Sequence, residues 1–315
     1  MMNLITSFRK DQAIHFIHDH RSGPYSEPVT IAFATSRPHR DLDVDLPLLM
    51  AAATHRGHDA SIVEWDDDTV DWAAFDVVVV RSCWDYVDRR GQFLDWARRV
   101  PHVVNAADVL AWNTDKVYLR ELAATGVPVI DTRWDVKHGD PLPHSGAAAE
   151  EWVVKPAISA GSRDTARWSS PEDVYTHSEE LIAAGRTVMV QPYIPSVDVE
   201  GETALIYLGG RFSHGIRKGP LLGRGEGVRQ DRDRREVISP RAPTAAQLDA
   251  ADQVLAAIPP SMGGSDALAY ARVDLVTDVD GVPRLIELEL TEPSLFLDHS
   301  ENGAELLLDA LAVLL

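Results

Sequence analysis

From Val29 onward the chain alternates short apolar runs with stretches of helix length. The runs at Thr30 to Ala34, Ser61 to Glu64, Val77 to Arg81 and His102 to Val104 have the length and β-branched content of strands. Between them, Leu46 to Arg56, closed by Gly57, and Gly91 to Arg99 read as helices. This βαβ rhythm predicts a mainly parallel sheet covered by helices, with ligands at the carboxyl ends of its strands. A helix over Asp115 to Ala124 follows, capped by Thr114 and stopped at Gly126, and then the strand Trp152 to Pro156, whose only polar side chain is Lys155. A small-residue loop over 157–165, a helix over Pro171 to Ala184 capped by Ser170, and the strand Thr187 to Gln191 come next. The remainder reads as antiparallel, with Glu202 to Leu208, a Gly209-Gly210 turn, Arg211 to Lys218, a helix over Thr244 to Ile258, a hairpin, and a helix from about Glu301.

The hairpin is the most informative stretch. Alternating residues from Ala269 to Leu290 flank Asp280-Gly281, a dipeptide that favours a two-residue turn. Opposed residues then sum to 561, so Asp274 faces Glu287 and Arg272 faces Glu289 on one face. Val273, Leu275, Ile286 and Leu288 share the other, so burying the apolar set projects three carboxylates together. Opposed carboxylates repel, and either a hard cation such as Mg²⁺ or a solvated face with Arg272 as counter-charge resolves the conflict.

With 315 residues, 45% of them apolar, the chain can bury a core of two or three lobes. Its net charge of −19 argues against nucleic acid or anionic membranes as partners and favours a small metabolite. The single cysteine, Cys83, excludes an internal disulfide and suits a cytoplasmic location. No apolar run approaches the ~20 residues that span a bilayer. Residues 1–28 read as an extension without the continuous apolar region of a secretory signal. Neither a P-loop nor a dinucleotide fingerprint is present. The loop Arg81-Ser82-Cys83-Trp84-Asp85-Tyr86 is a candidate substrate lip, or alternatively a helix-entry loop with a buried Trp.

Lysine occurs only five times, and the order of Lys116, Lys155, the hinge Val188 to Pro195, Glu202, Asp274 and Glu287-Leu-Glu289 resembles the ATP-grasp superfamily. The resemblance implies an α/β fold of the ATP-grasp type. A parallel pre-ATP-grasp domain over 29–112 precedes a two-lobed ATP-grasp domain over 113–315, its smaller lobe 113–190 and its larger lobe 191–315. It also implies ATP and Mg²⁺ as cofactors, with Mn²⁺ as an alternative ion. Lys116 and Lys155 would hold phosphates, Gln191, Tyr193 and Ile194 would line the adenine pocket, and Glu202 would bind ribose. Asp274, Glu287 and Glu289 would carry magnesium. Within the superfamily, Arg81 to Tyr86, Ser213 to Lys218 and Ile286 to Leu297 resemble glutathione-synthetase-like ligases and, more closely, the O-ureido-serine cyclo-ligases of cycloserine biosynthesis. Ala204 departs from the Arg usual in glutathione synthetases, and Glu289 stands where many members have Asn.

The implied chemistry is activation of a small-molecule carboxylate as an acyl phosphate, followed by attack of a nitrogen. That nitrogen belongs to the same molecule in a cyclo-ligase and to a second substrate in an ordinary ligase. Lys218 or Arg272 would sit near the transferred phosphoryl group and the carboxylate, although Arg272 could instead serve only to neutralise Glu289. Arg81, Ser82, Trp84, Asp85 and Ser294 are the candidate substrate contacts. The basic segment from Arg217 to Arg235 is either a lid or a solvated loop. The resemblance further implies a homodimer or homotetramer.

Overall fold

The computed structural model describes residues 28–146, 150–229 and 236–315, so nearly all of the N-terminal extension and part of the expected lid, residues 230–235, lie outside the described residues. The N-terminal lobe comprises β1 (Thr30–Thr35), α1 (Asp45–His55), β2 (Asp59–Glu64), β3 (Val77–Val80), α2 (Arg90–Arg99), β4 (Val103–Val104) and α3 (Ala107–Asn113). Its four strands are all parallel in the order β2-β1-β3-β4. The four consecutive valines of β3 are fully buried, as expected of an inner parallel strand covered on both faces.

Two antiparallel sheets follow. The first arises from α4 (Tyr118–Ala124), β5 (Arg133–Trp134), β6 (Trp152–Pro156), β7 (Ala166–Trp168), α5 (Pro171–Ala183) and β8 (Val188–Pro192), with strand order β5-β8-β6-β7. The second arises from α6 (Val197–Glu200), β9 (Glu202–Leu208), β10 (Arg211–Lys218), β11 (Ile238–Pro240), α7 (Ala245–Ala256), β12 (Tyr270–Thr277) and β13 (Pro283–Glu289), in the order β11-β10-β9-β12-β13. A last helix, α8 (Gly303–Leu314), returns to pack on α1: Leu307, Leu308 and Leu311 share a core with Leu46 and Leu49. Thr244 caps α7 through a reciprocal box with Gln247.

Two expectations need correction. Thr114 does not cap α4; it closes α3, which the apolar pattern did not reveal, and its hydroxyl accepts from Arg90 Nε at 2.8 Å. The helix proper starts at Tyr118, while the Asp115 carboxylate accepts the Val117 N–H at 3.1 Å. The hairpin turn also differs. Asp278 N–H bonds Val282 O at 2.9 Å, so the loop is residues 279–281, with Gly281 at φ 79°. Near the turn Leu275 opposes Leu285 and Val276 opposes Arg284. A bulge at Ile286 then adds one residue, and the pairs Asp274–Glu287 and Arg272–Glu289 are those expected. Leu285 therefore takes the core position, and Ile286 turns toward the ligand cleft described below.

Candidate active site

A cleft of about 810 Å³ opens where the two antiparallel sheets meet the N-terminal lobe. One wall is apolar. Ile130, Tyr193, Ile194, Val197 and Val276 cluster there with Ile286, which the bulge delivers. Tyr193 is locked by three contacts: its N–H donates to Glu151 O at 2.7 Å, its hydroxyl to Asp198 at 2.6 Å, and its ring lies 3.4 Å beneath the Arg167 guanidinium. Gln191, also on the cleft wall, donates to Thr132 at 2.9 Å.

The opposite region is charged. Lys116 Nζ lies 3.0 Å from Glu287 and donates to Ser159 O at 2.9 Å. Lys218 Nζ meets Asp274 at 2.9 Å, Glu202 at 3.0 Å and Glu236 at 3.6 Å. Arg272 grips both oxygens of Asp274, at 2.9 and 3.0 Å, and also donates to Glu289. Its third nitrogen donates to Ser294 O at 3.0 Å. Lys155 faces the same space from β6.

These contacts set the protonation states. Burial works to raise Asp274, but Arg272 and Lys218 outweigh it and hold its carboxyl below the usual range. Lys116 and Lys155 do the same for Glu287. Burial, with Glu287 and Asp274 nearby, raises Glu289 to about 7 in spite of Arg272. Glu292 rises to about 8 through burial and Glu289. Burial lowers Lys155 to about 8, whereas Asp274, Glu202 and Glu236 keep Lys218 well above the usual lysine value.

The structure thus gathers Lys116, Lys155, Gln191, Tyr193, Ile194, Glu202, Lys218, Arg272, Glu287 and Glu289 around one cavity, whose lining also includes Trp84 and Ser294. Asp274 is fully buried behind the wall. Arg81, Ser82 and Asp85, expected on a substrate lip, lie off the cleft wall because each is committed elsewhere. Arg81 is buried against Asp45 at 3.0 Å, Ser82 bonds Thr35 at 2.7 Å, and Asp85 accepts from the Trp65 indole at 2.9 Å. Sequence reasoning passed over Glu236, Glu292, His39 and His299, all of which line the cleft. Glu292 sat within a segment already singled out, Ile286 to Leu297; the other three carried no local signal.

Among the described residues no three acidic, histidine or cysteine side chains converge on a metal position. Asp274 has both oxygens engaged, which leaves Glu287 and Glu289 as hard donors on the wall. Two carboxylates fit Mg²⁺, which takes one or two from a protein and completes its shell with water and phosphate oxygens.

A model of the N-terminal domain of D-cycloserine synthetase DcsG matches residues 31–108. Cycloserine biosynthesis protein DcsG of Streptomyces lavendulae is 38% identical over 300 residues, covering 90% of this chain and 97% of that protein. The chain belongs to the DcsG family. A crystal structure of D-cycloserine synthetase DcsG matches this DcsG-family fold with a TM-score of 0.80 at 35% identity, over 90% of this chain and 99% of that one. An ATP-grasp RimK domain protein from Sphaerobacter thermophilus shares the fold at a TM-score of 0.59 and 20% identity, over 91% and 99% of the two chains. D-alanine–D-alanine ligase from Bacillus anthracis does so at 0.55 and 14%, over 90% and 96%. This DcsG-family chain is an ATP-grasp ligase, with the mixed fold that its sequence predicted.

Proposed function

We propose that this DcsG-family chain uses ATP and Mg²⁺ to convert the carboxylate of a small amino-acid-like substrate into an acyl phosphate, and that a nitrogen of the same molecule then closes a ring. The observation that carries this reading is one cleft lined by Lys116, Lys155, Lys218 and Arg272 together with Glu287 and Glu289, Lys116 pairing with Glu287 and Arg272 with Glu289. The match to DcsG over nearly its whole length supports the cyclising form.

The apolar wall around Tyr193 and Ile194 suits a purine, and Glu202, the first residue of β9 and part of the cleft lining, would take a ribose hydroxyl. Lys116 and Lys155 would hold phosphates. Glu287 and Glu289 would hold magnesium, which supplies charge neutralisation when bound. Lys116 pairs with Glu287 and Arg272 with Glu289, so entry of phosphate and metal exchanges partners on both sides of these pairs and strands neither charge. A substrate carboxylate oxygen attacks the γ-phosphorus and the bond to the ADP oxygen breaks. The nitrogen then attacks the acyl carbon, the carbon–oxygen bond breaks and phosphate leaves, while the nitrogen's proton passes to solvent or a cleft acid in its basic form. Arg272 and Lys218 stabilise the transferred charge, and the enclosed wall limits hydrolysis.

The test is ADP and phosphate release from Mg²⁺-ATP with serine-derived amino acids, with and without an added amine. Turnover without the amine, accompanied by a cyclic product, supports ring closure. Turnover that requires the amine replaces it with intermolecular ligation. Glu287→Gln should lower kcat by at least ~100-fold with the fold intact, because it removes a metal donor. Unchanged turnover in that variant would remove Glu287 from the metal site.

A further inference from the structure

Glu292 stands apart from the other acids of the cleft. Glu287, Glu289 and Glu202 are each matched to a cation, namely Lys116, Arg272 and Lys218. Glu292 lines the cavity beside Trp84 and Ser294, yet no hydrogen bond or ion pair within the described residues engages its carboxylate. Lys116 and Arg272 attract it only at a distance, their own bonds being committed to other acids.

Its backbone is held firmly. The Glu292 carbonyl accepts the Trp84 indole N–H at 3.0 Å, and the Pro293 carbonyl accepts Arg81 at 2.9 Å. The Ser294 carbonyl accepts Arg272 at 3.0 Å, and Leu295 N–H donates to Asp45 at 2.7 Å. Four successive residues are therefore braced by three separate elements. This fixes the backbone from which the half-buried Glu292 side chain reaches into the cleft, where an acid without a partner is unfavourable. An acid offers a phosphate no attraction, whereas a cation would hold the acid ionised, so the complementary group is a cation or an N–H donor brought in by the second ligand. The contact between Arg272 and the Ser294 carbonyl puts a carboxylate-binding guanidinium on the same loop.

We propose that Glu292 binds the primary ammonium of an α-amino-acid substrate whose carboxylate is turned toward Arg272, and that it thereby selects amino acids against counterparts lacking the amine. The proposal rests on the ligase reading and adds a specificity-determining residue to that same site. A charged hydrogen bond of this kind corresponds to a discrimination of roughly 10- to 100-fold.

The experiment compares O-ureido-D-serine with the same compound lacking its α-amine, in wild type, Glu292→Gln and Glu292→Ser, by ADP release; Mg²⁺-ATP binding is followed separately by thermal shift. Wild type should favour the amine by the stated factor. Both variants should lose that preference through KM while Mg²⁺-ATP still stabilises them, which also shows that they fold. Retention of the preference in either folded variant overturns the proposal. A loss that falls on Mg²⁺-ATP binding overturns it too, by assigning Glu292 to the metal. Absence of substrate-dependent ADP release in wild type removes the ligase reading itself, and the proposal with it.

Discussion

Lys155 carries a charge that its surroundings oppose. It is buried on β6, and burial lowers it to about 8 from 10.5. A lysine lowered on folding binds its proton less tightly in the native state. Stability is therefore reduced below about pH 8 and recovers as pH rises through 8 toward 10.5. Lys155→Met should accordingly unfold at higher urea than wild type at pH 7, by up to about 3 kcal/mol. That advantage should shrink as pH rises from 8 to 10.5, while ligase activity is lost if Lys155 holds phosphate as proposed. Urea titrations at pH 7 and 10 check it, and a Met variant no more stable than wild type at pH 7 would show that Lys155 is well solvated. Glu289 and Glu292 run the other way. Raised to about 7 and about 8, they contribute stability that is full below their unfolded value near 4.5 and lost as pH rises through 7 and 8. Glu292→Gln should therefore flatten the decline in apo-protein stability between pH 4.5 and 8, measured by the same titrations.

At the scale of elements, the hairpin shows what sequence pattern can and cannot specify. The pairs Asp274–Glu287 and Arg272–Glu289 were legible because one buried face demands alternation, and a slip of one residue would invert every side chain. The turn was not legible. A three-residue loop shifts the register by one and the bulge at Ile286 shifts it back, two changes that cancel at the functional end. The bulge leaves no composition signal, since Ile286 is as apolar as the strand around it. Two glycines separate shape from site in this sheet. Gly281 has φ 79° and open space where a Cβ would go, so Gly281→Ala should lower stability by about 1 kcal/mol and leave activity intact. Gly201, at φ 73°, would place a Cβ 2.3 Å from the Lys218 carbonyl. Gly201→Ala should therefore displace the strand that carries Lys218, with a larger loss of stability and at least a tenfold fall in kcat/KM. Equal effects of the two substitutions would mean that backbone conformation alone, and not the approach to Lys218, matters at position 201.

At the scale of the molecule, the lobes are joined by buried polar groups that no local pattern announces. Asn105 donates to Tyr270 O at 3.0 Å and Leu290 O at 2.7 Å, and accepts from Ala269 N at 2.9 Å, tying the end of the parallel sheet to the hairpin strands. Asp45, at the first turn of α1, accepts from Leu295 N at 2.7 Å and Leu297 N at 2.8 Å as well as from Arg81. The mixed fold was legible, because the parallel and antiparallel segments differ in periodicity, but these bridges were not, because their partners lie 164 to 252 residues apart. The bridges explain why Arg81 is buried: it links the parallel sheet to the loop that presents Glu292 and Ser294. Asp45→Asn keeps the size but leaves one amide oxygen for two backbone donors, and turns an N–H₂ toward a guanidinium or a peptide N–H. Removing one partner of so buried a pair is destabilising by about 3–5 kcal/mol. The loop should loosen before the rest of the molecule does, because the cores of α1 and the antiparallel sheets do not depend on it. KM for the carboxylate substrate should therefore rise in Asp45→Asn while Mg²⁺-ATP binding, proposed above for residues of β6, β8 and β13, changes little. A matched loss of both affinities would mean instead that Asp45 holds the lobes together as one unit.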